Sequence, residues 1–331
     1  MLQQLSAANM TLFDGIYPFY PQPMKPFVFD VDLIIVIIVF LVIAFSFLLI
    51  LPGIRGRARL YWLIRVISSL FIGGVIVAVH FSSDWETGTV AANTSYKSFS
   101  SAMIHADIGL HVGLSGVNIT LVGKPVDQLN ETINYNEEFS WRFGTNYDKE
   151  FEEGLKRGLP SPILYVAEKF TDHSPCGLNS VYRMAGHYAS ATLWVAFCAW
   201  LVSNMLFSMP VPVYGGFMLL VTGAFLIFAL LSFSTGRSVW CAIQFGLASL
   251  KLAYGASFWL TLATGLFCFL VGIVVIAFHF IKPDLLKAFF DLAEDEEDDE
   301  GILGEVYINP YLHQTQTLSS QPDFKLTIKN S

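Results

Sequence analysis

Charged side chains are scarce in this sequence, and cysteines are few. Asp, Glu, Lys and Arg make up 14% of the 331 residues, whereas apolar residues make up 54% and phenylalanine alone occurs 29 times. A soluble domain of this length would expose far too much apolar surface with such a composition. The composition therefore excludes an ordinary soluble protein and indicates a membrane protein.

The long apolar runs carry no Asp, Glu, Lys or Arg near their centres. Charged groups within a membrane mark ion and proton pathways, so their absence argues against a transporter. The sequence also lacks a glycine-rich nucleotide-binding loop, a zinc-ligand spacing and a nucleophile beside a base. We therefore predict no catalytic residue, no cofactor site and no metal site, and we predict that the chain is not an enzyme.

Histidines do not support a haem site within the membrane. Haem held between helices needs inward-facing histidine pairs as axial ligands, but His80, His187 and His279 all lie at the ends of apolar runs. We expect His80 and His187 to approach one another at the outer surface. Interfacial hydrogen bonding accounts for them better than metal or haem ligation.

Five apolar runs are each long enough to cross a hydrocarbon core. The predicted transmembrane spans are residues 33–52, 60–81, 187–208, 213–233 and 254–281. The fifth run is the longest, so we expect it to tilt or to project beyond the bilayer.

The orientation of the spans follows from the turns between them. Residues 53–59 carry three arginines, and short basic turns stay in the cytoplasm. This predicts an extracellular N-terminus and a cytoplasmic C-terminus. The remaining segments are an extracellular segment 1–32, a cytoplasmic turn 53–59, an extracellular domain 82–186, a cytoplasmic turn 209–212, an extracellular loop 234–253 and a cytoplasmic tail 282–331. The tail carries the acidic run DLAEDEEDDE and is predicted to be disordered.

Four N-glycosylation sequons lie in segments that this orientation places outside. Their asparagines are Asn9, Asn93, Asn118 and Asn130. Such acceptors are modified only in the secretory lumen. The sequons and the basic turn therefore predict the same topology.

The four cysteines divide into two pairs. Cys198 and Cys268 lie inside predicted spans, where a free thiol packs as a small apolar group. Cys176 and Cys241 both lie in predicted extracellular segments, which are oxidising. We predict a disulfide between Cys176 and Cys241, and the alternative is a disulfide to another protein.

Apolar residues alternate on both sides of Ser115 and Gly116 in the predicted extracellular domain. This pattern predicts a two-residue β-hairpin. The predicted pairs are 114 with 117, 112 with 119 and 110 with 121. All apolar side chains then share one face and Asn118 lies on the other, so a glycan at Asn118 would face solvent. A strand at 134–143 and helices at 147–157 and 163–170 complete the predicted antiparallel β-sheet domain.

The third span carries small or polar residues at intervals of four and three. They are Ala185, Ala189, Thr192, Ala196, Ala199 and Ser203. This spacing places all six on one stripe of a helix, and helices in lipid associate over small side chains. We therefore predict a helix-packing seam. The first span is bulky almost all round, so we predict that it lies at the periphery, against lipid or a partner's helix.

Six strings resemble the dual oxidase maturation factor family over roughly residues 12–290. They are PFYPQP at 18–23, LLILPGIRG at 48–56, LNETINYNEEFSW at 129–141, SPCGL at 174–178, AGHYASATLWVAFCAW at 185–200 and TLATG at 261–265.

This resemblance implies a non-catalytic maturation factor and membrane subunit of dual oxidase, forming a heterodimer or a higher heteromer with it. Such a chaperone supports exit of the oxidase from the endoplasmic reticulum, its glycan maturation, its delivery to the plasma membrane and its production of hydrogen peroxide. The oxidase carries haem, FAD and NADPH, and the factor has no cofactor of its own. The resemblance also implies a claudin-like arrangement of the last four helices. Asn9 lies before the matched strings, which makes it the weaker sequon.

A claudin-like cell-junction or adhesion protein is the alternative function. The extracellular domain lacks the W-GLW-C-C pattern of claudins, and the first span is additional. An enzyme or a transporter would need cofactor or charge features that the sequence does not show.

Overall fold

The computed structural model describes residues 31–50, 58–97, 101–129, 131–142, 144–208, 212–236, 243–246 and 248–281. The helices within these ranges are α1 (Val31–Ile50), α2 (Ala58–Phe81), α3 (Tyr147–Lys156), α4 (Ser161–Glu168), α5 (Leu178–Phe207), α6 (Pro212–Thr235) and α7 (Ala256–Ile281). The strands are β1 (Glu86–Ser95), β2 (Met103–Val112), β3 (Gly116–Gln128), β4 (Glu131–Ser140), β5 (Ile243–Phe245), β6 (Ala248–Leu250) and β7 (Ala253–Tyr254).

Helices α1, α2, α5, α6 and α7 are each long and apolar enough to cross a membrane. Together with the sheet, they confirm the predicted class of a membrane helical protein with a small β domain. The claudin-like arrangement of the last four spans stays a prediction.

Two helices begin at residues other than those at which the predicted spans begin, and the membrane boundaries of the spans stay predictions. Helix α5 begins at Leu178 rather than at 187, because Gly177 in a left-handed conformation, with φ of 58°, ends the preceding turn there. The additional first turns bury Asn179 and Tyr182, so they belong to the extramembrane core. Helix α7 begins at Ala256 rather than at 254, because Tyr254 pairs in strand β7.

The main sheet is antiparallel, with strand order β4-β3-β2-β1-β7. Its inner face is fully apolar along the central strands, where Ile108, Leu110, Val112, Val117 and Ile119 have no exposed surface. Helices α3 and α4 pack against the sheet, and Phe170 and Trp141 stack beside it with ring centroids 6.1 Å apart. A single apolar core results under one face of the sheet.

The predicted hairpin register is wrong by two residues. Val112 pairs with Val117, and the closing hydrogen bond runs from the Gly113 amide to the Gly116 carbonyl at 2.9 Å. The turn is therefore Leu114–Ser115 rather than Ser115–Gly116. Tertiary contact fixes this choice, because Leu114 is buried and its carbonyl accepts a 3.0 Å hydrogen bond from the Trp141 indole. A shift of two residues preserves the side-chain faces, so the predicted inner and outer faces are retained.

Close backbone contacts join the β domain to the helices. A Cβ atom on Gly186 of α5 would lie 2.4 Å from the Leu114 carbonyl oxygen, so only glycine fits beneath the hairpin turn. The Trp85 indole donates to the Val79 carbonyl at 2.8 Å, and the Trp85 carbonyl accepts from the Gly255 amide at 2.8 Å. The domain is thereby held to α2, α5 and the start of α7.

Helices α5, α6 and α7 form the most closely packed part of the membrane region. Gly223 of α6 faces Gly265 of α7, and a Cβ on Gly223 would lie 3.1 Å from the Gly265 carbonyl oxygen. Close approach over glycine is the contact expected between helices in lipid. Between α2 and α5, the Trp200 ring lies over Gly73, where a Cβ would be 2.5 Å away.

Candidate partner-binding surface

Helix α1 lies at the edge of the molecule and buries none of its residues. Its large side chains remain exposed, for example Val42, Phe45 and Leu49. Among the described residues its helix contacts are with α2. This peripheral position agrees with the sequence prediction, because most side chains of the span are large and no stripe of small residues allows another helix to approach closely. An apolar helix surface with so little of the chain's own structure on it is available to a partner helix or to lipid.

An ion pair joins the outer end of α1 to the β domain. The Arg142 guanidinium, just after β4, lies 3.4 Å from the Asp32 carboxylate in the first turn of α1. Both side chains are about half exposed, so the pair contributes at most about 1 kcal/mol. This ion pair by itself therefore holds α1 only weakly to the β domain. This pair could not be found from the sequence, because its residues are far apart along the chain.

The outer face of the sheet carries the two described sequon asparagines. Asn93 of β1 pairs with His105 of β2, and Asn118 of β3 pairs with His111 of β2. Residues that pair across antiparallel strands share a face, so both asparagines lie opposite the apolar core. Asn93 is exposed, and its side-chain oxygen lies 2.7 Å from the His105 ring nitrogen Nδ1.

Asn118 is on the predicted face but is only partly exposed. Its side-chain oxygen is buried and has no hydrogen-bond partner, as are those of Asn134 and Asn136 on neighbouring β4. A glycan attached to its side-chain nitrogen would leave from a recessed position rather than from an open strand. Asn9 and Asn130 lie outside the described residues, and use of every sequon stays a prediction.

Asp84 and His111 form a polar pair at the base of the outer face. The Asp84 carboxylate lies 2.8 Å from the His111 Nδ1 atom. The hydrogen bond from His111 is the largest cause that lowers the pKa of Asp84 below its ordinary value, against a smaller opposing effect of burial. The pair lies beside the joint with α7, because the Asp84 carbonyl accepts a 3.2 Å hydrogen bond from the Ser257 amide.

Two further polar contacts stabilise the inner side of the domain. Glu137 of β4 is buried and lies 3.2 Å from Arg157; burial raises the pKa of Glu137, and the Arg157 charge opposes this shift. The hydroxyl groups of Tyr96 and Tyr135 lie 2.7 Å apart, and burial raises the pKa of both. These contacts satisfy polar groups inside the core and form no reactive centre.

Cys176 is disulfide-bonded. Cys241, its predicted partner, lies outside the described residues, so the pairing stays a prediction. Of the two cysteines in the spans, Cys268 is buried between helices and Cys198 is exposed on α5.

The predicted seam of α5 faces the interior of the helix bundle. Ala185, Ala189, Ala196, Ala199 and Ser203 are buried, and Thr192 is partly exposed. The Ser203 hydroxyl donates a 2.8 Å hydrogen bond to the Gly215 carbonyl of α6. Bulky residues outside the stripe are also buried, namely Leu193 and Trp200, because α5 packs against α2 on a second side.

The histidines at the span ends have different surroundings, and the expected approach of His80 to His187 stays a prediction. His80 contacts the Trp194 ring at a centroid distance of 5.0 Å, whereas His187 is exposed. His279 lies in the last turn of α7. Within the described ranges, no group of three or more His, Cys, Asp or Glu residues is placed to hold a metal ion. The candidate site is a surface for a partner, made of the exposed apolar side of α1 and the outer face of the β domain.

The family model and the relatives that match this chain carry the same description. A model described as dual oxidase maturation factor matches residues 19–294. Dual oxidase maturation factor 2 of Homo sapiens is 52% identical over 97% of this chain and 100% of that protein. Dual oxidase maturation factor 2 of Mus musculus is 57% identical over 86% of this chain and 89% of that protein. Dual oxidase maturation factor 1 of Homo sapiens is 56% identical over 87% of this chain and 84% of that protein.

The acidic tail was the basis for expecting a likeness to factor 1 in particular. Identities of 57% to a factor 2 and 56% to a factor 1 do not separate the two types. Both comparisons nevertheless agree on the family, because the family model and the relatives each match most of the chain. The chain belongs to the dual oxidase maturation factor family.

Proposed function

We propose that this chain is a non-catalytic maturation factor and membrane subunit of dual oxidase. It associates with the oxidase as a heterodimer or a higher heteromer and supports its exit from the endoplasmic reticulum, glycan maturation, surface delivery and hydrogen peroxide production. The single observation that carries the proposal is the identity of 52% to human dual oxidase maturation factor 2 over 97% of this chain and the whole of that protein.

Helix α1 supplies the proposed contact with the oxidase inside the membrane. Ile38, Val42, Phe45 and Leu49 project from it at helical spacing and are all exposed. The described part of the chain leaves these side chains exposed, so a partner helix would add packing contacts on this side of α1. The β domain supplies a second contact on the same side of the membrane as the Asp32 end of α1, because Arg142 pairs with Asp32.

The proposed location is the membrane of the endoplasmic reticulum and the plasma membrane, with the N-terminus outside and the C-terminus in the cytoplasm. The exposed Asn93 sequon and the three arginines of residues 53–59 support this orientation. In this proposal haem, FAD and NADPH belong to the oxidase, and this chain carries out no redox chemistry.

Co-expression tests the function. Cells that contain dual oxidase alone, this chain alone or both are compared for oxidase glycan maturation, surface oxidase and released peroxide. We expect mature surface oxidase and peroxide only when both are present, and no haem absorbance from the isolated chain. Peroxide from this chain alone, or an oxidase that matures equally without it, would overturn the proposal.

A further inference from the structure

Sulfur is scarce in the segment that forms the β domain between α2 and α5. Residues 82–177 contain one methionine, Met103, and one cysteine, Cys176. Cys176 is disulfide-bonded, so it has no thiol that an oxidant could attack. Met103 therefore carries the only thioether of this segment.

The Met103 side chain is open to solvent. Met103 is the first residue of β2 and is 59% exposed. It pairs with Ser95 of β1, whereas the described pairing of β2 with β3 begins at Ala106. The next residue, Ile104, is buried in the core, and neighbouring side chains of a strand point to opposite faces. Met103 therefore lies on the outer face of the sheet.

Met103 also lies far from the membrane-spanning helices. The other end of β2 is Val112, whose carbonyl accepts a 3.1 Å hydrogen bond from the Trp85 amide, close to the end of α2. Nine steps along a strand span about 30 Å. The thioether is thus at the end of the β domain that is remote from the helices. In the proposed orientation this end is outside the cell.

The core of the β domain depends on aliphatic and aromatic side chains, among them Ile108, Leu110, Phe139 and Trp141. Oxidation turns methionine into a polar sulfoxide, which disrupts packing where the side chain is buried. At Met103 the added oxygen would lie in water instead. The domain therefore carries its only thioether at a position where oxidation removes no core contact.

We propose that Met103 is a site of reversible oxidation by hydrogen peroxide. The thioether sulfur attacks one peroxide oxygen, so that a sulfur–oxygen bond forms as the oxygen–oxygen bond breaks. The proton of the transferred oxygen passes to the departing hydroxide, which leaves as water. Sulfur is oxidised to the sulfoxide by two electrons, and the peroxide is reduced. Methionine sulfoxide reductases reverse this modification.

The proposal rests on the proposed function, because a partner oxidase supplies the peroxide. Met184 of α5 is also 59% exposed and is a second position for the same reaction. It lies on a candidate membrane span, however, where lipid or detergent covers side chains. Met103 is the position at which the structure itself guarantees contact with water.

Treatment of the purified full chain with hydrogen peroxide tests the chemistry. Peptide mass spectrometry should show one added oxygen atom at Met103, and Met103→Leu should remove this signal. Ile104→Met is the matched control, because it places a thioether at the adjacent buried position of the same strand. The introduced sulfur should react at least about tenfold more slowly, since a buried group reacts only in locally opened molecules.

Equal reaction at the two positions, or no oxygen added at Met103, would overturn the proposal. Thermal unfolding supplies a second criterion. The melting temperature of the treated wild type should equal that of treated Met103→Leu. A lower melting temperature of the wild type alone would show that the sulfoxide damages the fold, contrary to the exposed position of Met103.

Co-expression with dual oxidase tests the source of the peroxide. Sulfoxide at Met103 should accumulate when the oxidase is active and should decrease when catalase is added to the medium. Met205 is the internal control, because it is 70% exposed but lies in the last turn of α5, at the opposite end of the helix from the β domain. Its sulfur should stay unmodified.

The outcomes separate this proposal from the maturation function. An unmodified Met103 beside a mature oxidase that produces peroxide would refute oxidation at Met103 and leave the maturation function intact. An oxidase that fails to mature with this chain would contradict the maturation function, and the experiment on the purified chain would still decide whether Met103 reacts.

Discussion

Helices α1 and α6 are both apolar throughout, yet they occupy opposite environments. Helix α1 has the higher hydropathy and no buried residue, whereas α6 is the most buried of the five spans. The difference lies in residue size, because α6 buries Gly215, Gly216, Gly223 and Ala229 where neighbouring helices approach. In lipid, apolarity gives no preference for the protein interior, and close packing over small residues decides which helix is central.

In the β domain, by contrast, the hydrophobic effect in water decides which side chains are buried. Its central strands bury large side chains such as Ile108, Leu110 and Phe139, and its outer face is polar. Here apolar area removed from water stabilises the fold by about 25 cal/mol per Å². Residue size therefore decides burial in the membrane region, whereas apolarity decides it in the β domain. The same kind of substitution should change stability differently in the two regions.

Val112→Asp should have the largest effect on the free energy of unfolding. Val112 has no exposed surface, so the variant places a carboxylate in the apolar core at a cost of about 4 kcal/mol. The expected result is loss of the folded protein and of its surface expression.

Thr89→Asp is the matched control on the outer face of the same sheet, because Thr89 is exposed and pairs with Gly109. His111→Asp is unsuitable as a control, since it would place a second carboxylate beside Asp84. Equal surface expression of the Val112 and Thr89 variants would show that the assigned faces are wrong.

Ala196→Leu should reduce stability by about 1–3 kcal/mol, the usual range for overpacking. Ala196 is fully buried in the seam of α5, and the larger side chain forces adjacent helices apart. Thermal unfolding in detergent measures the effect. Val195→Leu, at an exposed neighbouring position, should change the melting temperature little. A melting temperature that is the same for both variants would contradict the seam.

Asp84→Asn should have a small effect that depends on pH. The folded-state pKa of Asp84 lies below its ordinary value of 3.8, so its stabilising contribution is present above pH 3.8 and is lost as the pH falls through the folded-state pKa. Wild type should melt slightly higher than the variant at pH 7, and this difference should disappear in acid.

Solvent screening limits the effect of Asp84→Asn to less than about 1 kcal/mol. Glu152→Gln, at an exposed position of α3, is the control for general removal of negative charge. A difference that grows on acidification would be inconsistent with the direction of the pKa shift.

The double variant Phe45→Ala and Leu49→Ala in α1 should leave the stability of the chain within about 0.5 kcal/mol of wild type. Both side chains are exposed and make little packing contact. Under the proposed function, co-purification of dual oxidase should nevertheless fall about tenfold or more, as for an anchor worth about 2 kcal/mol.

The matched control for the α1 variant is Leu266→Ala with Leu270→Ala, which removes exposed leucines at the same spacing from α7. If the α7 pair weakens oxidase binding and the α1 pair does not, the partner helix packs on α7. That result would move the contact and retain the function.

The hairpin shows which features a sequence pattern can predict and which it cannot. Alternation of apolar residues predicted the correct inner face, because it depends only on the two-residue period of a strand. It did not determine the turn, since either Leu114–Ser115 or Ser115–Gly116 preserves that alternation. Contacts of Leu114 with Trp141 and Gly186 decide between them, and both residues are distant along the chain.

Strand β1 was absent from the sequence prediction for a similar reason. Its sequence ETGTVAANTS has four β-branched residues but no aromatic residue, and glycine, alanine and asparagine interrupt the β-branched positions, so propensity alone does not indicate a strand. It pairs along its whole length with β2 and at its start with β7. Glu86, at its first position, is buried and accepts a 2.8 Å hydrogen bond from the Tyr182 hydroxyl of α5. No local pattern encodes that contact.

The amino-acid sequence by itself determined the five apolar spans, the small-residue stripe of α5 and the two faces of the hairpin, because each depends on residue type and local spacing. Tertiary structure decided the turn register, the recessed position of Asn118 and the contact between α1 and the β domain. Those features arise where segments far apart in sequence meet, as Asp32 meets Arg142. Their geometry depends on the shapes of both surfaces, which local periodicity does not specify.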